Sequence, residues 1–254
     1  MEDSIRRMAQ ETDTILDHGL RSLWLYGSVV LGDYRHGWSD IDFIAFARNP
    51  ISEEQAQKLL TLRHDLAARF PGDPYYRCFE GVIINWQEFQ ANEYTRLIYW
   101  GTTGQRVTHR FELDPFSRLE LVRYGRLVWG ERDDPFTEPT RAELTEAVRG
   151  HHEAIRRYAV ETDERLYSCG WLLDIARCLY TLRCGGVIGK TQAGQWALAE
   201  HLFPDGGPLR KTLAIRQDPL TYKDQPEIQA WLCSLGPTVQ GYADVLDKEL
   251  ESYR

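Results

Sequence analysis

Two short apolar runs flank a glycine-rich stretch near the start of the chain. The first, Leu23–Tyr26, leads into Gly27 and Ser28, and the second, Ile41–Phe46, directly follows Asp40. Both runs are rich in aromatic and branched aliphatic residues, which favour buried β-strands. The glycines between them allow the backbone to turn tightly. We therefore predict a strand, a tight turn, a short crossing segment and a second strand.

Periodicity and capping residues indicate the other elements. Ser52 and Gln55 form a capping-box pattern that opens a helix, and Asp114 before a proline is typical of a helix N-terminus. Residues 87–112 show no clear period, and a loop is expected over 100–104. A strand is predicted over 77–86, and helices over 4–18, 52–69, 114–124, 140–160, 165–184, 191–203 and 226–252, with a less defined element over 208–218.

The pattern changes near residues 132–135, where charged turn residues precede a proline. Strands and helices are mixed before this point, whereas helical periodicity dominates after it. We predict an α/β (α+β) protein, with a small mixed-sheet domain over 1–134 and an all-helical bundle over 135–254.

Three acidic residues stand out in the predicted strands. Asp40 and Asp42 are two positions apart, so a strand that starts here projects both carboxylates from one face. A divalent cation would relieve their repulsion, and oxygen ligands of this kind suit Mg²⁺. Glu80 lies inside the mostly apolar strand 77–86, where a carboxylate must face solvent, find a partner or meet a metal. The alternative is that the aspartates only cap their strand.

Composition narrows the function classes. The chain of 254 residues is 43% hydrophobic and 27% charged, which is ordinary for a folded protein. It has no long uncharged apolar run, and its five cysteines form no CxxC pair, so we expect a cytoplasmic protein with free, buried thiols. The net charge of −8 weighs against a nucleic-acid substrate and is compatible with a polycationic small molecule.

The string LYGSVVLGDYRHGWSDIDF resembles the signature of the polymerase-β-type nucleotidyltransferase superfamily. It is most similar to the aminoglycoside adenylyltransferases of the streptomycin/spectinomycin kind. The resemblance implies that ATP is the co-substrate and that Asp40 and Asp42 bind Mg²⁺. It also implies contacts to ATP phosphates from Gly27, Ser28 and Ser39.

Further positions extend the resemblance along the chain. The string Glu80–Ile84 resembles a glutamate-headed strand of these enzymes, in which the glutamate accepts the proton of the substrate hydroxyl. Glu80 is therefore the candidate general base, with a possible third place among the metal ligands. The stretch 126–131 resembles a short strand of the family, and the helix 173–180 is similar to a family helix. Lys190 is similar to the lysine that reaches the ATP triphosphate. Asp114 resembles a nucleotide-contacting aspartate, matched with a gap of one residue.

The substrate side departs from the family. The tryptophan and aspartate that grip the antibiotic align with Thr162 and Tyr167 here, and the sequence does not rank their nearby substitutes, Trp171, Asp174, Asp163 and Glu164. The stretch 185–191 imitates a phosphate-binding P-loop. It lacks the first glycine and follows a predicted helix instead of a strand, so we reject that interpretation.

Three functions remain open. The leading hypothesis is transfer of AMP from Mg-ATP to a hydroxyl of a small cationic substrate in a cleft between the two domains. An aminoglycoside antibiotic is the leading candidate for this substrate. The second is a protein-modifying AMP transferase of the antitoxin type, and the third is a non-catalytic nucleotide-binding module. We expect no nucleic-acid or membrane partner, and a monomer or weak dimer.

Overall fold

The computed structural model describes residues 1–101, 104–132 and 135–253, which form two compact units. The first unit comprises Met1–Val30, Asp40–Leu113 and Glu120–Thr137. The second comprises Leu31–Ser39, Asp114–Leu119 and Glu138–Arg254. The predicted boundary between 134 and 135 stays a prediction, because Asp133 and Asp134 lie outside the described residues.

The first unit is built on a mixed β-sheet, as predicted. Its strands are β1 (Leu20–Tyr26), β2 (Ile41–Ala47), β3 (Phe79–Asn85), β4 (Leu97–Gly101), β5 (Gly104–Thr108) and β6 (Arg126–Gly130). Within the described residues they lie in the order β5-β4-β3-β2-β1-β6. The β2–β3 pair is parallel, and the other neighbouring pairs are antiparallel.

Helices connect and cover this sheet. They are α1 (Glu2–Ile15), α2 (Glu53–Arg69), α3 (Trp86–Ala91) and α4 (Pro115–Tyr124), of which α4 contributes residues to both units. The parallel strands need a crossover connection, which α2 provides. The predicted capping box of Ser52 and Gln55 is confirmed at the start of α2. Trp100 of β4 fixes α2 on the sheet by donating its indole N–H to the Leu59 carbonyl at 3.0 Å.

One face of the sheet carries an aromatic and aliphatic core. Its buried members include Trp24, Ile44, Phe46, Val82 and Ile84. Because side chains alternate along a strand, Asp42 shares the face of Ile44, and Glu80 shares the face of Val82. The apolar face therefore gives way to carboxylates where β2 and β3 begin.

The second unit is helical, which confirms the predicted fold class. Its further helices are α5 (Arg141–Tyr158), α6 (Tyr167–Cys184), α7 (Lys190–Ala199), α8 (Gly207–Gln217), α9 (Pro219–Tyr222), α10 (Pro226–Cys233) and α11 (Gly236–Glu251). Most of α6 is buried in the core of this unit. Gly185 ends α6 with a φ of +66°, so the stretch that imitates a P-loop does follow a helix.

Two predictions of local structure were wrong. The helix predicted over 226–252 is divided into α10 and α11, because a glycine and a proline at 236–237 start a new helix. The predicted loop over 100–104 is instead where β4 ends and β5 begins, although Thr102 and Thr103 lie outside the described residues.

Two remaining expectations concern the burial of the cysteines and the absence of a membrane-spanning helix. In the described part of the chain the cysteines form no disulfide. Cys169 and Cys178 are buried as predicted, whereas Cys78 is half-buried and Cys184 and Cys233 are exposed. Burial raises the pKa of Cys169 and Cys178 to about 12, so these thiols stay protonated at neutral pH. In the described part of the chain, no helix is long and apolar enough to span a membrane.

Candidate active site

The parallel pairing of β2 with β3 brings the predicted catalytic carboxylates together. Asp42 lies directly beside Glu80 in the register, and Tyr26 of β1 lies beside Asp42 on its other side. Partners in a register share one face of the sheet, so the Asp42 and Glu80 carboxylates project to the same side. Asp40 precedes β2 by one residue. Glu80 therefore lies on the strand next to the one that Asp40 precedes.

The turn after β1 is shaped around the two aspartates. Gly27 adopts a φ of +68°, and a β-carbon built on it would lie 2.0 Å from Oδ2 of Asp42. A side chain at this position would therefore displace the Asp42 carboxylate. The Ser28 hydroxyl donates a hydrogen bond to the Asp40 carbonyl at 3.2 Å. Gly27 and Ser28 thus support both aspartates, through close approach and through a hydrogen bond.

A buried glutamate that sequence reasoning missed holds the same turn. The Gly27 N–H donates to Oε2 of Glu120 on α4 at 3.0 Å. Glu120 is only 3% exposed. The sequence offers no signal for this contact, because Glu120 is separated from Gly27 by 93 residues and sits between two leucines. In this structure the Gly27 N–H is used to fix the turn.

Glu80 has a hydrogen-bond partner on the neighbouring antiparallel strand. The Tyr99 hydroxyl of β4 donates to Oε1 of Glu80 at 3.2 Å. Tyr99 lies in the region 87–112, whose lack of period concealed both β4 and this contact. Glu80 is therefore partnered inside the sheet, one of the outcomes open to a carboxylate in an apolar strand.

The donor set at the strand starts suits magnesium. Mg²⁺ in phosphoryl-transfer sites is commonly held by one or two carboxylates together with substrate phosphates and water. Asp42 lies in the first turn-facing position of β2, close to the backbone of Gly27, and Asp40 is two residues away, so two carboxylates at this strand start fit that requirement. Among the described residues, no group of three or more histidine, cysteine or acidic side chains is placed to hold a metal ion. The assignment of Glu80 as a third ligand stays a prediction.

Two predicted nucleotide contacts have structural roles in the second unit. The Ser39 hydroxyl accepts a hydrogen bond from the Arg35 N–H at 3.0 Å. Asp114 caps α4 as predicted, accepting from the Phe116 N–H at 2.9 Å and the Ser117 N–H at 3.1 Å. Their contacts with a nucleotide stay predictions.

Lys190, the third predicted contact in this unit, pairs with a buried carboxylate. Its ammonium nitrogen lies 2.9 Å from Oδ1 of Asp174, and Arg177 lies 3.7 Å from the same oxygen. Burial alone would raise the pKa of Asp174, but Lys190 and Arg177 outweigh it and hold that pKa below its ordinary value. Among the substitutes for the antibiotic-gripping residues, Asp174 is thus already neutralised by cations of this chain.

A buried ion pair that the sequence did not predict anchors the segment before Ser39. The Arg216 guanidinium lies 2.9 Å from Oδ2 of Asp33, and both side chains are less than 5% exposed. The same oxygen accepts from the Thr191 N–H at 3.0 Å, in the first turn of α7. Asp33 therefore ties the segment Leu31–Ser39 to the helix that begins with Lys190.

Comparison with solved structures finds the same fold in spectinomycin adenyltransferase AAD(9) from Enterococcus faecialis, solved with ATP and spectinomycin. The two chains superpose with a TM-score of 0.59 at 16% sequence identity, covering 96% of this chain and 98% of that chain. The fold that the resemblance implied is therefore confirmed along nearly the whole chain. At this identity the similarity demonstrates the fold alone.

Other comparisons add little. A mutant of the toxin–antitoxin MntA–HpeT matches at 14% identity, and a toxin–antitoxin with AMP-PNP at 15%; each covers 63% of this chain and 94% of the other. Both have TM-scores of 0.29, which are too low to support an argument. No protein-family model matches the chain, and the search of curated proteins found no match.

Proposed function

We propose that the chain is a magnesium-dependent nucleotidyltransferase that transfers AMP from ATP to a hydroxyl of a small cationic substrate. An aminoglycoside antibiotic is the leading candidate for that substrate. The observation that carries this proposal is the register of β2 and β3, which places Asp42 beside Glu80 with Asp40 one residue before the strand. The shared fold with a spectinomycin adenyltransferase supports the reaction class. The helical second unit favours a small acceptor over the minimal protein-modifying transferase.

The two aspartates and Glu80 have different roles in the proposed reaction. Asp40 and Asp42 would hold Mg²⁺, which when bound offsets the charge that develops on the attacking and leaving oxygens. Glu80 accepts the proton of the acceptor hydroxyl. The hydroxyl oxygen forms a bond to the α-phosphorus of ATP, the bond from that phosphorus to the bridging β-oxygen breaks, and pyrophosphate leaves.

The ATP contacts follow the resemblance. We assign the phosphates to Gly27, Ser28, Ser39 and Lys190, and a further nucleotide contact to Asp114. Serine hydroxyls and a lysine ammonium are suitable donors to phosphate oxygens. Because the Gly27 N–H already donates to Glu120, we expect Gly27 to act through the close approach of its backbone.

The proposal is tested by measuring pyrophosphate release from ATP with a panel of hydroxylated cations that includes spectinomycin and streptomycin. We expect release that requires both Mg²⁺ and acceptor, together with an acceptor product that carries one adenylyl group by mass spectrometry. Asp42→Asn should abolish release while the protein stays folded, since neutralising one of two neighbouring carboxylates removes repulsion. Asp65→Asn, on the exposed side of α2, is the matched control and should retain activity.

Two results would contradict the proposal. The first is the absence of acceptor-dependent release from the unmodified protein over the whole panel. The second is substantial Mg²⁺-dependent turnover by Asp42→Asn, which would remove the metal assignment even if transfer occurs.

A further inference from the structure

The partner of the proposed base comes from the neighbouring antiparallel strand. Tyr99 of β4 lies beside Val82 of β3 in the register, and Glu80 lies two residues before Val82 on the same face. A diagonal neighbour of this kind is within reach of a long aromatic side chain. The Tyr99 hydroxyl uses that reach to donate to Oε1 of Glu80 at 3.2 Å.

The Tyr99 ring is held on both sides. A β-carbon built on Gly101 would lie 2.3 Å from Cε1 of Tyr99 and 2.6 Å from its hydroxyl oxygen, so the ring occupies space that only a glycine leaves open. Arg106 of β5 lies beside Tyr99 in the register, and its guanidinium carbon lies 4.2 Å from the ring centroid. A cation over an aromatic face is attracted by the ring. The sheet thus fixes the direction of the hydroxyl.

The electrostatics fix which atom carries the proton. Burial, followed by the charge of Glu80 and the hydrogen bond to it, raises the pKa of Tyr99; Asp40 acts in the same direction and Arg106 against it. The hydroxyl therefore stays protonated at neutral pH and donates to the carboxylate. Among the described residues, Oε2 of Glu80 has no hydrogen-bond partner, which leaves that oxygen to accept another proton.

We infer that Tyr99 is a positioning residue for Glu80, holding Oε1 so that Oε2 faces the acceptor hydroxyl. This inference rests on the proposed function, because it assigns Tyr99 a role only through the general base. Gly101 and Arg106 support the arrangement by keeping the ring in place. Residues 87–112 thereby gain a function that their sequence pattern does not indicate.

The kinetic test compares Tyr99→Phe with the unmodified protein, using pyrophosphate release with spectinomycin and streptomycin as acceptors. Tyr99→Phe keeps the ring and its packing, so the Tm should not change. Loss of a hydrogen bond to a charged group should lower kcat by roughly 10- to 100-fold and leave the KM for ATP unchanged. In the Glu80→Gln background, Tyr99→Phe should have no further effect, because its role depends on the Glu80 carboxylate. Tyr94→Phe removes a hydroxyl that bonds to Asn92 in the same unit and should leave kcat unchanged.

A second measurement does not require turnover. In protein labelled at the tyrosine ζ-carbon, the signal lost in Tyr99→Phe identifies Tyr99. At pH 7 its chemical shift should change in Glu80→Gln, because the acceptor of its hydrogen bond changes from a carboxylate to an amide. The Tyr94 signal should not move.

The possible failures are distinguishable. An unmodified protein that fails to turn over contradicts the proposed function. A kcat for Tyr99→Phe equal to that of the unmodified protein, or an equal loss in the Glu80→Gln background, overturns the positioning role even when transfer occurs. An unchanged Tyr99 chemical shift in Glu80→Gln would overturn the contact itself.

Discussion

Replacing Gly27 with alanine tests whether the turn after β1 is built for Asp42. Gly27 has a φ of +68°, and an alanine there pays about 1–2 kcal/mol for the left-handed conformation. For a chain of this size that cost corresponds to a Tm decrease of about 2–8 °C. The new β-carbon would also lie 2.0 Å from Oδ2 and 2.8 Å from Cγ of Asp42, so the carboxylate must move. A displacement of about 1 Å at a reacting centre can lower turnover about 100-fold.

Gly32 supplies the matched control for the backbone effect. It has the same φ of +68°, but a β-carbon built on it meets no atom within 4 Å. Gly32→Ala should therefore show a similar Tm decrease by calorimetry and retain Mg-ATP binding and turnover. Gly27→Ala should lose both. If the two variants bind Mg-ATP equally well in isothermal titration, the turn does not position Asp42 and our interpretation of Gly27 is refuted.

Two further predictions concern the second unit. Lys190→Met should raise the KM for ATP, and it should lower the Tm because Asp174 loses a cation. The double variant Lys190→Met/Asp174→Leu should regain stability without regaining ATP affinity. An unchanged KM for ATP in both variants would show that Lys190 is not part of the nucleotide site. Arg216→Met should destabilise the protein by about 3–5 kcal/mol, measured by denaturant unfolding, because the buried Asp33 carboxylate loses the cation 2.9 Å from Oδ2 and keeps Arg35 at the longer distance of 3.8 Å from Oδ1. Burial alone would raise the pKa of Asp33, but Arg216 and Thr191 hold that pKa below its ordinary value of 3.8. The ion pair of Asp33 and Arg216 therefore stabilises the unmodified protein above pH 3.8. This stabilisation is lost as the pH falls towards the lowered pKa. If the unfolding free energies of Arg216→Met and the unmodified protein differ by the same amount at pH 7 and at pH 3, this explanation is contradicted.

Local signals in the sequence were sufficient for much of the fold. The alternation of apolar residues located β2 with Asp42 at its start, and the capping patterns located the starts of α2 and α4 correctly. These features depend on residues within a few positions of one another.

The missed features depend on contacts between residues that are distant in the sequence. Arg216 and Asp33 are 183 residues apart, and Glu120 and Gly27 are 93 apart. The residues around Asp33 and Glu120 form no sequence pattern that predicts a buried partner for either carboxylate. The sequence did not reveal the role of Tyr99 because β4 and β5 have five residues each and β5 is mostly polar, so residues 87–112 showed no period.

The most direct test of the central claim compares Glu80→Gln with the unmodified protein, with Mg-ATP binding and pyrophosphate release measured on the same preparations. Glutamine keeps the size of the side chain and can still accept from Tyr99, but it cannot take a proton from the acceptor. A general base typically contributes about 10²- to 10⁴-fold in rate. We predict that Glu80→Gln binds Mg-ATP with nearly unchanged affinity and releases pyrophosphate more slowly by that factor. Equal rates from the two proteins would show that Glu80 is not the base, and loss of Mg-ATP binding would show that it is a metal ligand instead.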